Sequence, residues 1–321
     1  MELPYALKTA IEELADGLDR ARLSAAAQTN SERYREKLGR GSRLVTTDIE
    51  AAAYAAARMP ATYGAVYTAL KNALECIEMP SNITLTDVGA GTGAGTWAAA
   101  GLLDIASVTC LEREKAMRDT GALLMKKSDD EALAAAQWRE FDLTNAAPIA
   151  HSDVILASYV LNELKEADRI AAAKRLFEAA DRLLLIVEPG TPEGWKQLMQ
   201  LRGVLVDQGA HIAAPCPHAN ACPVQEGDWC HFTCRVARSR LHKALKMGDA
   251  PYEDEKFCYL ALTKAPAEPT KGRVVRHPII ERGKITIKAC TNSGLEQLTV
   301  RKKDGMFKWA RKAQNGDALP E

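Results

Sequence analysis

The chain of 321 residues has no uncharged apolar run of bilayer length, so no segment is a candidate spanning helix. It opens on Met-Glu-Leu-Pro-Tyr-Ala-Leu-Lys, charged and amphipathic, where a secreted chain would carry an apolar leader. It has no net charge, because 42 Lys and Arg meet 42 Asp and Glu, and the overall balance therefore points to no partner. No internal repeat and no low-complexity tract interrupt it. Cysteine is sparse over most of its length, at Cys76, Cys110, Cys258 and Cys290. These absences lead us to expect a cytoplasmic chain, away from membranes, whose thiols stay reduced.

The other four cysteines are crowded. Cys216, Cys222, Cys230 and Cys234 fall within nineteen residues, CPHANACPVQEGDWCHFTC. Thiolates so placed converge on a metal or pair as disulfides, and a reducing compartment favours the metal. The length suits two or three domains, and 47% hydrophobic residues suffice for a core. Charge is distributed unevenly. Residues 264–316 hold thirteen Lys and Arg against four Asp and Glu, a net of plus nine. That excess marks a candidate polyanion-binding surface, the plain alternative being a solvated face.

Residues 1–80 read as a helical region, rich in Ala, Leu, Glu and Arg, with apolar residues three and four apart, such as Leu14, Leu18 and Ala21. Pro60 should break one helix within Tyr54–Tyr63, and the next should end near Met79-Pro80. The pattern then changes. Short apolar strands are expected over 83–88, 106–111, 137–141, 154–158 and 183–187, separated by helices over 115–126, 166–180 and 191–206. This alternation predicts an α/β fold, a doubly wound, Rossmann-like parallel sheet over 81–263. Two strands, around 229–236 and 256–262, should close its edge as an antiparallel pair. A Cys-rich loop over 211–234 lies within this domain. Residues 264–321 form a basic C-terminal β unit, with strands at Arg273-Val-Val, Lys284-Ile-Thr-Ile-Lys and Leu298-Thr-Val.

Thr86-Asp87-Val88-Gly89-Ala90-Gly91-Thr92-Gly93 joins the first strand to a helix. Glycines let a backbone turn sharply and approach a ligand closely. As Gly89-x-Gly91-x-x-Ala94 the loop fits a dinucleotide fingerprint. As D-x-G-x-G-x-G it resembles motif I of class I S-adenosylmethionine (SAM) methyltransferases. Asp87 favours the second pattern, because a dinucleotide fold would bury it as an unpaired charge. The methyltransferase pattern implies that Asp87 stands at the strand end near the cofactor's amino-acid portion. It also implies that Gly89, Gly91 and Gly93 make the loop, that Glu112 holds both ribose hydroxyls, and that Asp142 faces the adenine amino group.

After the fourth strand, Tyr159 and Asn162 are candidates for acceptor contacts or plain caps of the strand. No Asn-Pro-Pro-Tyr type sequence and no Pro-Cys dipeptide follow it, so the usual amino-methylating and cytosine-5 routes find no support. Glu188-Pro-Gly190 resembles a strand-end loop of the same family.

The spacing Cys216-x5-Cys222-x7-Cys230 matches neither paired CxxC ribbons nor a two-Cys two-His finger. Wide, irregular spacing is compatible with an iron–sulfur cluster, with zinc as the alternative. From spacing alone the fourth ligand is Cys234, His218, His231 or a distant cysteine. In a strand, Cys230 and Cys234 would share a face.

Arg58-Met-Pro-Ala-Thr-Tyr63, Cys216-Pro-His, Cys222-Pro, Asp228-Trp-Cys-His-Phe232, Tyr252-Glu-Asp-Glu-Lys-Phe257 and Ala289-Cys290-Thr together resemble one family. It is the bacterial branch of the mitochondrial small-ribosomal-subunit methyltransferase-like proteins, which assist small-subunit assembly. The resemblance runs over about 45–317. It implies a [4Fe–4S] cluster held by Cys216, Cys222, Cys230 and Cys290, stapling the β unit to the methyltransferase-like domain. Cys234 and Cys258 then become packing thiols.

The stretch from Arg235 to Lys246 should place most of its charges on one helical face, toward phosphates or toward water. Phe307, Lys308, Trp309, Arg311 and Lys312 mix aromatics with cations, as RNA-contacting surfaces and packed strands both do. The expectation is a SAM-binding, iron–sulfur-containing protein acting on small-subunit rRNA or the assembling subunit. A non-catalytic assembly factor and a zinc-containing small-molecule methyltransferase are the alternatives.

Overall fold

The computed structural model describes residues 1–35 and 45–320. Four helices come first: α1 (Tyr5–Asp16), α2 (Arg20–Arg35), α3 (Asp48–Ala57) and α4 (Met59–Leu74). Thr47 starts α3 with a reciprocal cap, its hydroxyl accepting from Glu50 N while Glu50 accepts from Thr47 N at 3.0 Å. The break falls at Arg58, and Pro60 sits in the first turn of α4, where its missing N–H costs nothing. That helix stops at Leu74, earlier than expected from sequence, and residues 75–82 lead into the first strand.

The sheet elements follow as β1 (Ile83–Val88), α5 (Ala94–Ala100), β2 (Ile105–Glu112), α6 (Lys115–Met125), α7 (Glu131–Ala134), β3 (Gln137–Glu140), β4 (Ser152–Ser158), α8 (Glu166–Ala179), β5 (Ala180–Pro189), α9 (Pro192–Asp207) and β6 (His211–Ala214). Then come β7 (Phe232–Ala237), α10 (Arg240–Leu245) and β8 (Tyr252–Thr263). The order across the sheet is β3-β2-β1-β4-β5-β8-β6, with β7 also paired to β8. Strands β1 to β5 run parallel, and β8 lies antiparallel against β5. This is the doubly wound α/β sheet of a class I methyltransferase, as expected.

The edge differs from expectation. Strand β8 is interior, because β6 and β7 share its far side, β6 at residues 261–263 and β7 at 252–257. Residues Trp229–His231 are not strand but the end of the cysteine loop, which therefore leaves the sheet between these two neighbours. Strand β6 is not expected from sequence, and it takes its identity from pairing with β8.

One apolar core runs from Leu7 in α1 to Ala261 in β8, so the N-terminal helices pack on the sheet rather than apart from it. Small residues let them approach. A Cβ at Gly64 would lie 3.0 Å from Cys234 Sγ in β7. The C-terminal unit has its own core of Val274, Ile285, Ile287, Ala289, Val300 and Ala310. Its elements are β9 (Gly272–Val274), β10 (Ile279–Glu281), β11 (Lys284–Thr291), β12 (Gly294–Arg301) and α11 (Phe307–Ala310). Phe307 and Trp309 thus sit on a short helix over this core, not on a strand. Arg273, 1% exposed, ties the unit to the end of α4 through Glu75 at 2.8 Å. No described helix is long and apolar enough to cross a membrane.

Candidate functional site

Strand β1 runs into three left-handed glycines, Gly89, Gly91 and Gly93, with φ of 68°, 56° and 89°. A side chain is disfavoured there. At Gly89 there is no room either, since a Cβ would lie 2.4 Å from Val160 Cγ2. The amides of Gly89 and Ala90 donate to the Leu111 carbonyl at 2.8 and 3.1 Å, drawing the loop over the end of β2. There Glu112 accepts from Gly91 N and from Glu114 N, each at 2.8 Å. Burial raises its pKa against the pull of those two amides.

Asp87 lies beneath this loop, fully buried, rather than at the cofactor face expected from sequence. Its Oδ2 accepts from Thr96 N at 3.0 Å and Thr96 Oγ1 at 2.9 Å, which fastens α5 to β1. Its Oδ1 has no partner, and burial pushes the pKa up to about 6. Gly93 also points inward, toward Met125 and Trp138.

Above the loop is a cavity of about 910 Å³. Gly89, Gly91, Glu112 and Asp142 line it, so four of the six expected cofactor residues meet there. The N-terminal helices and the Leu245–Met247 segment close its outer side. Phe141, Leu143 and Val160 give it apolar surface beside these polar groups. The volume and mixed lining suit a nucleoside-sized ligand with room beside it.

Tyr159 and Asn162 line the cavity beyond the end of β4, and both are engaged. Tyr159 has φ of 57° and donates to Glu255 Oε1 at 2.9 Å. Arg58 grips the same carboxylate with two bonds, of 2.9 and 2.8 Å, and lies 5.0 Å over the Tyr159 ring. Asn162, with its amide nitrogen turned to satisfy both groups, donates to Glu188 Oε2 at 2.9 Å and to the Tyr159 carbonyl at 3.1 Å. Glu188 also accepts from Leu161 N at 3.0 Å, and burial pushes its pKa up to about 8. Glu163, also lining the cavity, is pushed up to about 7 by burial and by Glu112. The joining of Arg58, Tyr159 and Glu255 in one triangle, and of Glu188 to Leu161 and Asn162, is not expected from sequence. Each joins residues at least twenty-five positions apart, which spacing cannot show.

The second cluster lies at the other side of β8. Cys216, Cys222, Cys230 and Cys290 line one small pocket with His218, and the charge of Arg202 is felt there. Cys290 Sγ is 3.8 Å from His218 Nε2. Burial raises the pKa of Cys230 well above the usual thiol value, and the other three thiols push it further. Cys290 is raised to about 12 by burial, then by Cys216 and Cys222. Arg202 braces the loop by donating to the carbonyls of His218 and Asn220 at 2.9 and 2.8 Å. Trp229 Nε1 donates to the Gly190 carbonyl at 2.9 Å, tying the loop to the end of β5. Asp228 takes Arg276 and Lys288, which ties it to the C-terminal unit.

Cys234 lies in β7 against Gly64 and does not line this space, and Cys230 precedes the strand, so the alternation of a strand does not relate the two. Cys258 is buried in β8 and donates to the Pro189 carbonyl at 3.4 Å. Among the described residues, no three His, Cys, Asp or Glu side chains are arranged to hold a single metal ion.

The family model described as mitochondrial small ribosomal subunit Rsm22 matches residues 48–320. The chain belongs to the Rsm22 family. A human relative, the mitochondrial ribosome assembly protein METTL17, is 26% identical over 288 residues, covering 83% of this chain and 62% of its own length. A tandem Rsm22-cox11 mitochondrial protein of Schizosaccharomyces pombe is 22% identical over 228 residues, covering 55% of this chain and 30% of its own. The chain thus spans less than two thirds of these relatives. Among solved structures, magnesium protoporphyrin IX methyltransferase from Synechocystis with bound SAH is similar at a TM-score of 0.42 and 14% identity, over 74% of this chain and 94% of that one. A TehB-like SAM-dependent methyltransferase from Corynebacterium glutamicum has a TM-score of 0.41 and 15% identity, over 75% and 99%.

The cations between Arg235 and Lys246 do not form the expected basic helical face in this Rsm22-family chain. Arg235 belongs to β7, and only Arg240–Leu245 is helical. Part of their charge is met from β8. Arg235 pairs with Asp254 at 2.7 Å, while Arg238, His242 and Lys246 all meet Glu253. Those partners hold the Glu253 carboxyl far below its usual range in spite of burial.

Proposed function

We propose that this chain is a SAM-binding, iron–sulfur-containing factor that acts on the small ribosomal subunit, on its rRNA or on the assembling particle, in the cytoplasm. The observation that carries this reading is the meeting of four thiols from two distant parts of the chain around one small pocket, in a chain that also holds a cavity over the Gly89–Gly91 loop. Membership of the Rsm22 family and similarity to a relative named as a ribosome assembly protein support the partner.

The residues around the cavity fit SAM. Left-handed Gly89 and Gly91 keep side chains off its floor, Glu112 offers a carboxylate at the end of β2, and Asp142 follows β3. SAM, when bound, supplies an electrophilic methyl group on a sulfonium sulfur. The protein's part is alignment and exclusion of water. The four cysteines fit a cluster. Cys216, Cys222, Cys230 and Cys290 would be its ligands, each supplying one thiolate. Spanning the loop and β11, they would fix the C-terminal unit to the sheet.

One observation favours the non-catalytic form of this reading. The Tyr159 hydroxyl and the Asn162 amide, polar groups beyond the end of β4, are taken up by Glu255 and Glu188. Labelled SAM incubated with isolated small subunits separates the two forms. Methyl incorporation into rRNA supports the enzyme, and SAM binding without incorporation supports the assembly factor. Protein purified without oxygen should contain iron and acid-labile sulfide, and stoichiometric zinc without sulfide would reject the cluster.

A further inference from the structure

The C-terminal sheet has two faces, and residues directly opposite in an antiparallel pair share a face. One face carries Ile285, Ile287, Ala289 and Val300 into the core under α11. The other reads Lys284, Thr286, Lys288 and Cys290 along β11. At its Cys290 end this face is docked. Cys290 and Leu295 line the thiol space, and Lys288 pairs with Asp228. At its Lys284 end it is free.

That free end has an unusual composition. Ile279 and Ile280 of β10 are 62% and 64% exposed, among the few large apolar side chains so open to solvent. Ile279 is opposite Thr286 and so shares the free face, while Ile280 lies at the margin of the core face. Around them Arg282, Arg301, Lys302 and Lys303 are exposed and form no ion pair among the described residues. The Lys302 amide donates to the Gly283 carbonyl at 3.2 Å, so the two cationic turns are held side by side. By contrast Arg273, Arg276 and Lys288 of the same unit are spent on Glu75 and Asp228.

We propose that this free end, with exposed Ile279 on its face, Ile280 at its margin and four cations that form no ion pair among the described residues, is a binding surface for the shallow minor groove of an RNA helix. The cations meet phosphates, whose contacts position a protein and make binding salt-dependent. The isoleucines press on ribose and base edges, as apolar wedges do in minor grooves. The hydroxyls of Thr286 and Thr299 lie on the same face and suit 2′-hydroxyl contacts, which an RNA minor groove displays and a DNA groove lacks. An anionic membrane fits less well. Surface binding there takes an amphipathic helix with a broad apolar face, and β10 is three residues long. The proposal deepens the ribosomal reading and rests on it only for the biological identity of the RNA.

The test uses the full chain, purified without oxygen, with a fluorescent RNA hairpin whose stem is about 16 base pairs, long enough to present successive minor grooves. The anisotropy titration is repeated with the matching DNA hairpin and with phosphatidylserine vesicles. Reversing Arg301, Lys302 and Lys303 to Glu should weaken RNA binding about tenfold or more and flatten its salt dependence. Ile279→Ala with Ile280→Ala should weaken it several-fold with the salt dependence unchanged. Both sets are exposed, so circular dichroism melts should match the parent. Equal binding to RNA and DNA, preference for vesicles, or an RNA affinity untouched by either set would overturn the surface. Isolated small subunits separate this from the wider reading. Loss of subunit binding in the parent with RNA binding intact removes the ribosomal role and leaves the surface. Subunit binding that survives both variant sets removes the surface and leaves the role.

Discussion

Tyr159 donates its hydroxyl proton to Glu255 across 2.9 Å while its own backbone stands at φ of 57°. Left-handed backbone is unfavourable for an aromatic residue and persists only where surroundings fix it. Here the fixing comes from the Arg58–Glu255 pair, which joins the helical region, the end of β4 and β8 at the rim of the cavity. Removing one partner of a partly buried pair leaves the other charge uncompensated. Glu255→Ala should therefore lower stability by about 3 kcal/mol, and Tyr159→Phe by only about 1 kcal/mol. Urea denaturation of the two variants measures both. Equal stability of Glu255→Ala and the parent would mean that Arg58 is satisfied without its partner.

The glycine loop makes a second prediction. Gly91 has φ of 56° and faces the cavity, with Met117 no closer than 3.5 Å to a Cβ built there. Gly91→Val is strained in the backbone and fills ligand space, so SAM affinity should fall at least about tenfold. Asp87→Ala should act indirectly, by freeing Thr96 and the start of α5. Calorimetry with SAM checks both, with Gly203→Ala on open helix surface as the control. Unchanged SAM affinity in Gly91→Val would remove the assignment, and binding of NADH instead would restore the dinucleotide alternative.

How much was legible in the sequence depends on the range of the interaction. Strands β1, β4 and β5 are short apolar runs bounded by turns, and a run of that kind can be read locally. The glycine loop is also local, and its position between β1 and α5 agrees with the reading. The burial of Asp87 was not legible, because Thr96 meets it only after α5 folds back. Strand β6 has four residues and takes its identity from pairing with β8, not from its own pattern. The run from Arg235 to Lys246 looked like a basic helix face because its partners, Glu253 and Asp254, come from another strand. Spacing alone left the fourth cysteine open, and the resemblance named Cys290, which register places beside Leu295 at the thiol space.

Cys290 and Cys234 give the third prediction. Cys290 lines the space with Cys216, Cys222 and Cys230, whereas Cys234 does not line it and packs against Gly64 of α4. Anaerobically purified protein should carry about four irons per chain. Cys290→Ser, like Cys216→Ser, Cys222→Ser and Cys230→Ser, should lose most of the iron and the brown colour. Cys234→Ser and Cys110→Ser should keep both. Iron and sulfide analysis decides this, and a Cys234→Ser variant that bleaches while Cys290→Ser stays brown would reverse the ligand assignment.

The pH dependence of stability is set by buried carboxyls around the end of β4. Burial raises the Glu188 pKa from an ordinary 4.5 to about 8, and the Glu163 pKa to about 7. A folded-state value above the unfolded one means that the native chain holds a proton which the unfolded chain has already lost. Their stabilising share is therefore complete below about pH 4.5 and is lost as pH rises through the folded values. Asp153, Asp228, Asp254 and Glu253 have lowered pKa values, so their share runs the other way, but it is complete by about pH 6. Between pH 6 and 9 the raised carboxyls should dominate. Glu188→Gln isolates the largest of them. A glutamine keeps an oxygen for the Leu161 and Asn162 amides, and Asn162 can turn its own oxygen toward the new NH2 group. Near pH 5 the variant and the parent should have similar melting temperatures, since the parent's Glu188 is protonated there. Toward pH 9 the parent should fall below the variant by roughly 2–4 kcal/mol, the scale of a shift of a few pKa units at 1.36 kcal/mol each. Thermal melts of both proteins across this range measure the gap, and two parallel curves would show that Glu188 titrates near its ordinary value.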